Sequence, residues 1–250
     1  MLNSRPAGRR ILGVVIINWM NDLPESLFAN PAWHALQTKH RHFAQSAGDA
    51  CRYPADVSPF AAVAAPGTAA LEQLRSLLKA GEAVWLIGES YPPTPGLFFN
   101  GTLPCLQMVL SAPVPSPDPA IEIVPLTEAS ADEMLALTDL AFPGFFRKRT
   151  CEMGTYYGVR AAGKLIAMGG ERLTLEGYPE ISGICTHPSH RGKGLAAALI
   201  WQLSQNHHRD GLVSWLQVAV ENHRAIELYQ RIGFKPVRQV MLHRVSREGC

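Results

Sequence analysis

Ile184-Cys185-Thr186-His187-Pro188-Ser189-His190-Arg191-Gly192-Lys193-Gly194-Leu195-Ala196 is the stretch whose reading decides the fold. Ile181 to Thr186 has the apolar content of a strand, and Pro188 interrupts it. Gly192 and Gly194 then make a turn, after which Leu195, Leu199 and Leu203 recur on one helical face. Strand, glycine-rich turn and helix in succession bind phosphate well, because the first amides of a helix lack intrahelical acceptors and carry the positive end of its dipole. The two glycines let the backbone approach an anion, and Arg191 and Lys193 add charged donors around it.

Downstream, Leu212 to Val220 reads as an apolar strand. Asn222 caps a helix whose Ala225, Leu228, Tyr229 and Ile232 share a face, Gly233 closes it, and a last strand falls near Gln239 to Val245. Upstream, a strand is expected from Ile121 to Pro125, a helix from Ala129 to Ala141, and a hairpin of Tyr156 to Arg160 and Lys164 to Arg172 around Ala161-Ala162-Gly163. The alternate prolines of Ala112 to Pro119 read as a semi-rigid linker. Before it, Asn30-Pro31 opens a helix through about Ser46, a second helix runs from Thr68 to Lys79, and strands are expected at Ala83 to Ile87 and Leu106 to Leu110. The expected organisation is an N-terminal α/β domain at 1–111, a linker at 112–119 and a second domain at 120–250.

Bulk composition narrows the class. With 47% hydrophobic and 18% charged residues, the 250-residue chain reads as soluble and globular. A net charge of +2, from 23 basic and 21 acidic residues, offers no field for a nucleic-acid backbone, so no nucleic-acid partner is expected. No segment approaches the roughly 20 apolar residues of a membrane span. Arg9-Arg10 before Ile11 to Ile17 has the outline of an export signal, but the apolar run is short and lacks a cleavage site. Cys51, Cys105, Cys151, Cys185 and Cys250 are dispersed, with no C-x-x-C pair, which predicts reduced thiols and a cytoplasmic location.

The quoted stretch resembles the signature Q/R-x-x-G-x-G/A of the GNAT superfamily of N-acyltransferases, and Asn222 to Phe234 resembles a second block of that family at the expected distance downstream. The resemblance covers about Ile121 to Val245. It implies a mixed α/β (α+β) fold with a mostly antiparallel sheet flanked by helices, preceded by the smaller α/β domain. It further implies acetyl-coenzyme A as co-substrate and transfer of the acetyl group to a primary amine by direct attack in a ternary complex. Amides of Arg191, Gly192, Lys193, Gly194, Leu195 and Ala196 would then hold the pyrophosphate. Backbone groups of Ile184, Cys185 and Thr186 would pair with the pantetheine arm as an added strand, and Asn222 would contact that arm or cap its helix. Glu180 occupies the position of the family's general base, with Glu171 the next candidate, and Tyr229 that of the tyrosine that donates to the leaving thiolate. Phe142 to Arg149 would line or gate the acceptor pocket.

Rival readings fare worse. Gly192 to Ala197 also satisfies G-x-G-x-x-A, but the chain after Glu221 holds one helix and one strand, too little for a dinucleotide-binding fold. Gly194 after Lys193 excludes the Walker pattern. A coenzyme A-binding sensor without turnover remains the alternative. His187, His190, His207 and His208 have no evident acidic or cysteine partner in the sequence, so no metal is expected. The acceptor, a small-molecule or peptide amine, is not legible, and the first half could serve as a lid, a degenerate copy of the same fold or a homodimer contact.

Overall fold

The computed structural model describes residues 23–249, so the Arg9 to Ile17 segment and Cys250 lie outside the described residues. Eleven strands run in chain order as β1 (Gln45–Ala47), β2 (Ala50–Arg52), β3 (Ala61–Val63), β4 (Ala83–Gly88), β5 (Leu97–Leu110), β6 (Val124–Leu126), β7 (Tyr156–Ala161), β8 (Lys164–Leu175), β9 (Tyr178–Thr186), β10 (Trp215–Ala219) and β11 (Phe234–Arg247). The first three make a small antiparallel sheet, and the other eight form one sheet in the order β4-β11-β5-β10-β9-β8-β7-β6. Every neighbouring pair in the large sheet is antiparallel except β9 with β10. This is the mixed, mostly antiparallel sheet that the motifs imply.

The helices are α1 (Glu25–Ala29), α2 (Pro31–Gln37), α3 (Thr68–Leu77), α4 (Ala131–Ala141), α5 (Leu195–Arg209) and α6 (His223–Arg231). On one face of the sheet, Phe28 of α1 and Leu36 of α2 join Val109, Trp215 and Leu242 in a buried cluster. On the other, Ile200 and Leu203 of α5 pack against Leu216 and Val218, with Leu228 and Tyr229 of α6 beside them. Fully burying a leucine contributes roughly 1.5–3 kcal/mol, so the leucine stripe of α5 is sufficient reason for this helix to dock where it does.

Several elements differ from the sequence reading. The helix opened by Asn30-Pro31 stops at Gln37, because the Thr38 hydroxyl bonds back to the His34 carbonyl at 2.7 Å and the chain tightens into a 3-10 turn at Arg41–Phe43. Strand β11 begins at Phe234 rather than Gln239. Pro236 cannot donate to a ladder, and the strand absorbs it at a register shift between Pro236 and Arg238. The turn of the expected hairpin is present, with Ala162 and Gly163 at φ 48° and 77° as a two-residue turn of the favoured twist demands.

The proline-rich segment joins strands of one sheet. Strand β5 precedes it in sequence yet lies between β10 and β11, paired with β11 from Leu97 to Leu110 and with β10 from Cys105 to Val109. Residues on either side of 112–119 therefore share one hydrogen-bonded framework.

Candidate active site

The parallel neighbours β9 and β10 pair at a single position, Trp215 with Glu180. Beyond it they diverge: β9 stays with β8, through Met168 opposite Cys185 and Ala167 opposite Thr186, while β10 stays with β5. A bulge helps to open the gap. Gly183 sits at φ 65° where the β8–β9 register shifts, and a Cβ on Gly169 would strike Ile184 Cδ1 at 2.2 Å, so glycine at 169 lets Ile184 lie across the partner strand. The result is a cleft of about 900 Å³ through the sheet. Every residue expected at the cofactor lines this cleft, as does Tyr229.

At the α5 end, Gly192 and Gly194 take φ 80° and 74°, which only glycine adopts at little cost. A Cβ built on either would meet no protein atom within 4 Å, so the glycines face open space rather than a packed neighbour. Ala198 is the first α5 amide to donate back, to the Gly194 carbonyl at 3.0 Å, which leaves the amides of Leu195 to Ala197 without intrahelical acceptors. Arg191 and Lys193 belong to this turn, and Arg224 and Arg231 of α6 also line the cleft. Unpaired amides at a helix N-terminus, with Arg191 and Lys193 beside them, are chemically suited to an anion.

Asn222 caps α6, its side-chain oxygen accepting from Ala225 N at 3.2 Å. Tyr229, about two turns further along, packs at a tilt against Phe234, and burial pushes its phenol up to about 12, so it stays protonated at neutral pH. Burial likewise pushes the Cys185 and Cys105 thiols up to about 12 and about 11, which disfavours the thiolate that a nucleophile needs.

Glu180 lies behind the cleft wall, fully buried. Its carboxylate accepts from Arg172 Nη2 at 2.7 Å and Nε at 3.0 Å, from Leu173 N at 3.0 Å and from Gln217 Nε2 at 3.3 Å. Arg172 in turn lies over the Phe60 ring at 4.8 Å; burial, the largest influence, would lower its guanidinium, but the charge and hydrogen bonds of Glu180, with smaller contributions from Tyr156 and Cys105, together leave it raised. Glu171 is elsewhere, accepting from Thr155 N at 3.1 Å and lying 2.9 Å from His207 Nε2. His207 thus has the acidic partner that its sequence neighbourhood did not reveal. Among the described residues no three metal-ligating side chains converge.

Sequence reasoning missed Arg172, Gln217, Leu103, Cys105 and Leu242 as cleft residues. They come from four different strands, and only the strand order, with β5 inserted beside β10, brings them together. Phe142 and Phe145, from the segment expected near the acceptor, line the cleft, and Phe145 packs in one cluster with Leu103, Cys105 and Leu242.

Comparison with known proteins agrees with this geometry. Residues 123–234 match the Acetyltransferase (GNAT) family. A crystal structure from the GNAT family of Novosphingobium aromaticivorans DSM 12444 superimposes with a TM-score of 0.81 at 34% identity, covering 88% of this chain and 98% of that one. A GCN5-related N-acetyltransferase from Kribbella flavida shares the fold, with a TM-score of 0.58 at 20% identity over 88% of this chain and 96% of that one. An uncharacterized N-acetyltransferase of Bacillus subtilis (strain 168) is 32% identical over 38% of this chain and 38% of its own length. An uncharacterized protein of Mycobacterium leprae (strain TN) is 27% identical over 80% of this chain; the chain spans 59% of that relative's length.

Proposed function

Since the chain belongs to the GNAT acetyltransferase family, we propose that it transfers the acetyl group of acetyl-coenzyme A to a primary amine by direct attack in a ternary complex. The observation that carries this reading is the split between β9 and β10, open to the glycine-rich turn on one face of the sheet and to Arg172 and Phe145 on the other. A thioester threaded through such a gap meets an amine arriving from the opposite face.

In this reading the amides of Gly192 to Ala196 and the surrounding cations hold the diphosphate, and the cleft edge of β9 from Ile184 to Thr186 pairs with the pantetheine arm. Holding amine and carbonyl together supplies much of the acceleration. Tyr229, which holds its proton at neutral pH, gives it to the departing thiolate and regains one from solvent. Glu180, expected as the base, is better suited to another task. A proton on it would break a buried bidentate pair, so we read it as a positioning residue for Arg172 and Gln217, with the attacking nitrogen losing its proton to water in the open cleft.

The test is thiol release from acetyl-coenzyme A with pooled primary amines. Tyr229→Phe is expected to lower kcat by about 10²-fold, the scale of a lost general acid, with little change in coenzyme A affinity. Saturable coenzyme A binding with no thiol release for any amine would favour the sensor instead.

A further inference from the structure

Resting on that reading, we propose that the acceptor is a free amino acid with an apolar side chain, its carboxylate bound by Arg172 and its side chain set against Phe145, Leu103 and Leu242.

Charge on the cleft wall argues first. Among the described residues lining the cleft, the sole carboxylate is Glu227, exposed on α6 at the cofactor face. A polyamine or an aminoglycoside carries several ammonium groups, and the acceptor face offers them no acidic partner. What that face offers is Arg172. Its Nε and Nη2 are occupied by Glu180, while Nη1 has no protein acceptor among the described residues. The guanidinium is fixed from two directions, by the Phe60 ring below and the Glu180 carboxylate at its edge, so its remaining N–H groups are preorganised donors. A carboxylate uses such donors best, and Gln217 beside it supplies further polar contact.

Shape argues second. Phe145 sits 5.3 Å from Trp85 and 6.1 Å from Phe60, and with Leu103, Cys105 and Leu242 it makes an apolar wall on the same sheet face as Arg172. An α-amino acid presents an amine, a carboxylate and a side chain from one carbon. Carboxylate on Arg172 and side chain on this wall leave the amine to face the gap, where the thioester would lie.

The experiment uses the full chain with acetyl-coenzyme A and measures thiol release for L-phenylalanine, L-leucine, L-phenylalaninamide, phenethylamine, a phenylalanyl dipeptide and spermidine, each corrected for its neutral amine fraction. Phenylalanine and leucine are expected to exceed the amide and phenethylamine by about tenfold or more in kcat/KM, the scale of one charge-assisted hydrogen bond. In the paired variant Arg172→Gln with Glu180→Gln, which leaves no lone buried charge, phenylalanine should fall to the level of its amide, a change of ratio that mere loosening of the fold would not produce. Phe145→Ala should raise KM for phenylalanine more than kcat falls. Equal rates for acid and amide, a dipeptide as good as the amino acid, or a preference for spermidine would each overturn the proposal, whether or not the paired variant folds. Coenzyme A binding measured alongside separates the cases: binding with a silent panel sinks this acceptor only, whereas absence of binding sinks the acetyltransferase reading itself.

Discussion

Arg172 and Glu180 form a bidentate pair with 12% and 0% side-chain exposure, and such a pair is more costly to break than it is stabilising to have. Glu180→Ala leaves a buried guanidinium without its partner and is expected to cost about 3–5 kcal/mol in urea unfolding, while adding Arg172→Met recovers most of that loss. His40 makes a second prediction. Its Nδ1 lies 2.8 Å from the Tyr53 hydroxyl and its Nε2 3.1 Å from the Met153 carbonyl, and burial, reinforced by nearby His42, lowers it from its ordinary value of 6.5 to about 4. A folded value below the unfolded one means that the unfolded chain binds the extra proton first. The contribution is therefore complete above pH 6.5 and is lost as pH falls through 4, on the order of 3 kcal/mol in all. Urea midpoints taken from pH 7 to pH 4 should decline less steeply in His40→Gln than in the parent; parallel curves would contradict the assignment. Neither residue pair could be read from sequence, since Arg172 and Glu180 meet only because β8 and β9 form a hairpin of that register.

At the scale of elements, α5 and α6 were legible because their signals are local. Glycine spacing before a leucine stripe, and Asn222 before an amphipathic turn, state both the helix and its start. The lengths of β5 and β11 were not legible. Asn100-Gly101-Thr102 is polar and exposed, and Pro236 breaks the pattern, so both strands owe their full extent to pairing with each other. Asn222 allows its two roles to be separated. Asn222→Ala removes the acceptor for Ala225 N and should cost about 1 kcal/mol, whereas Asn222→Ser keeps a capping oxygen and loses the side-chain amide donor without adding charge. If coenzyme A affinity drops in Asn222→Ser while thermal stability holds, the amide touches the cofactor; equal affinity assigns it to capping alone.

For the whole molecule, the decisive feature is β5 in the middle of the large sheet. The family match at 123–234 omits this strand, yet β10 and β11 both pair with it, and its Cys105 and neighbouring Leu103 line the cleft. A fragment of residues 112–250 would leave β10 and β11 with a row of unsatisfied backbone groups between them. It is expected to lack cooperative unfolding by circular dichroism, and a folded fragment would show that the sheet closes without β5. Composition and linker pattern could not reveal this, because strand order is a non-local property and the prolines of 112–119 look alike whether they separate two cores or join one sheet. What the whole arrangement exists to do, on this account, is grip a diphosphate at the start of α5 and run its tail between β9 and β10. Calorimetric titration of the full chain with coenzyme A, repeated for Gly194→Val, tests that most directly. One coenzyme A per chain is expected, its binding weakened by salt and lost in the variant, whose side chain would enter space that no protein atom fills. No heat of binding in the parent, or undiminished binding in the variant, would contradict it.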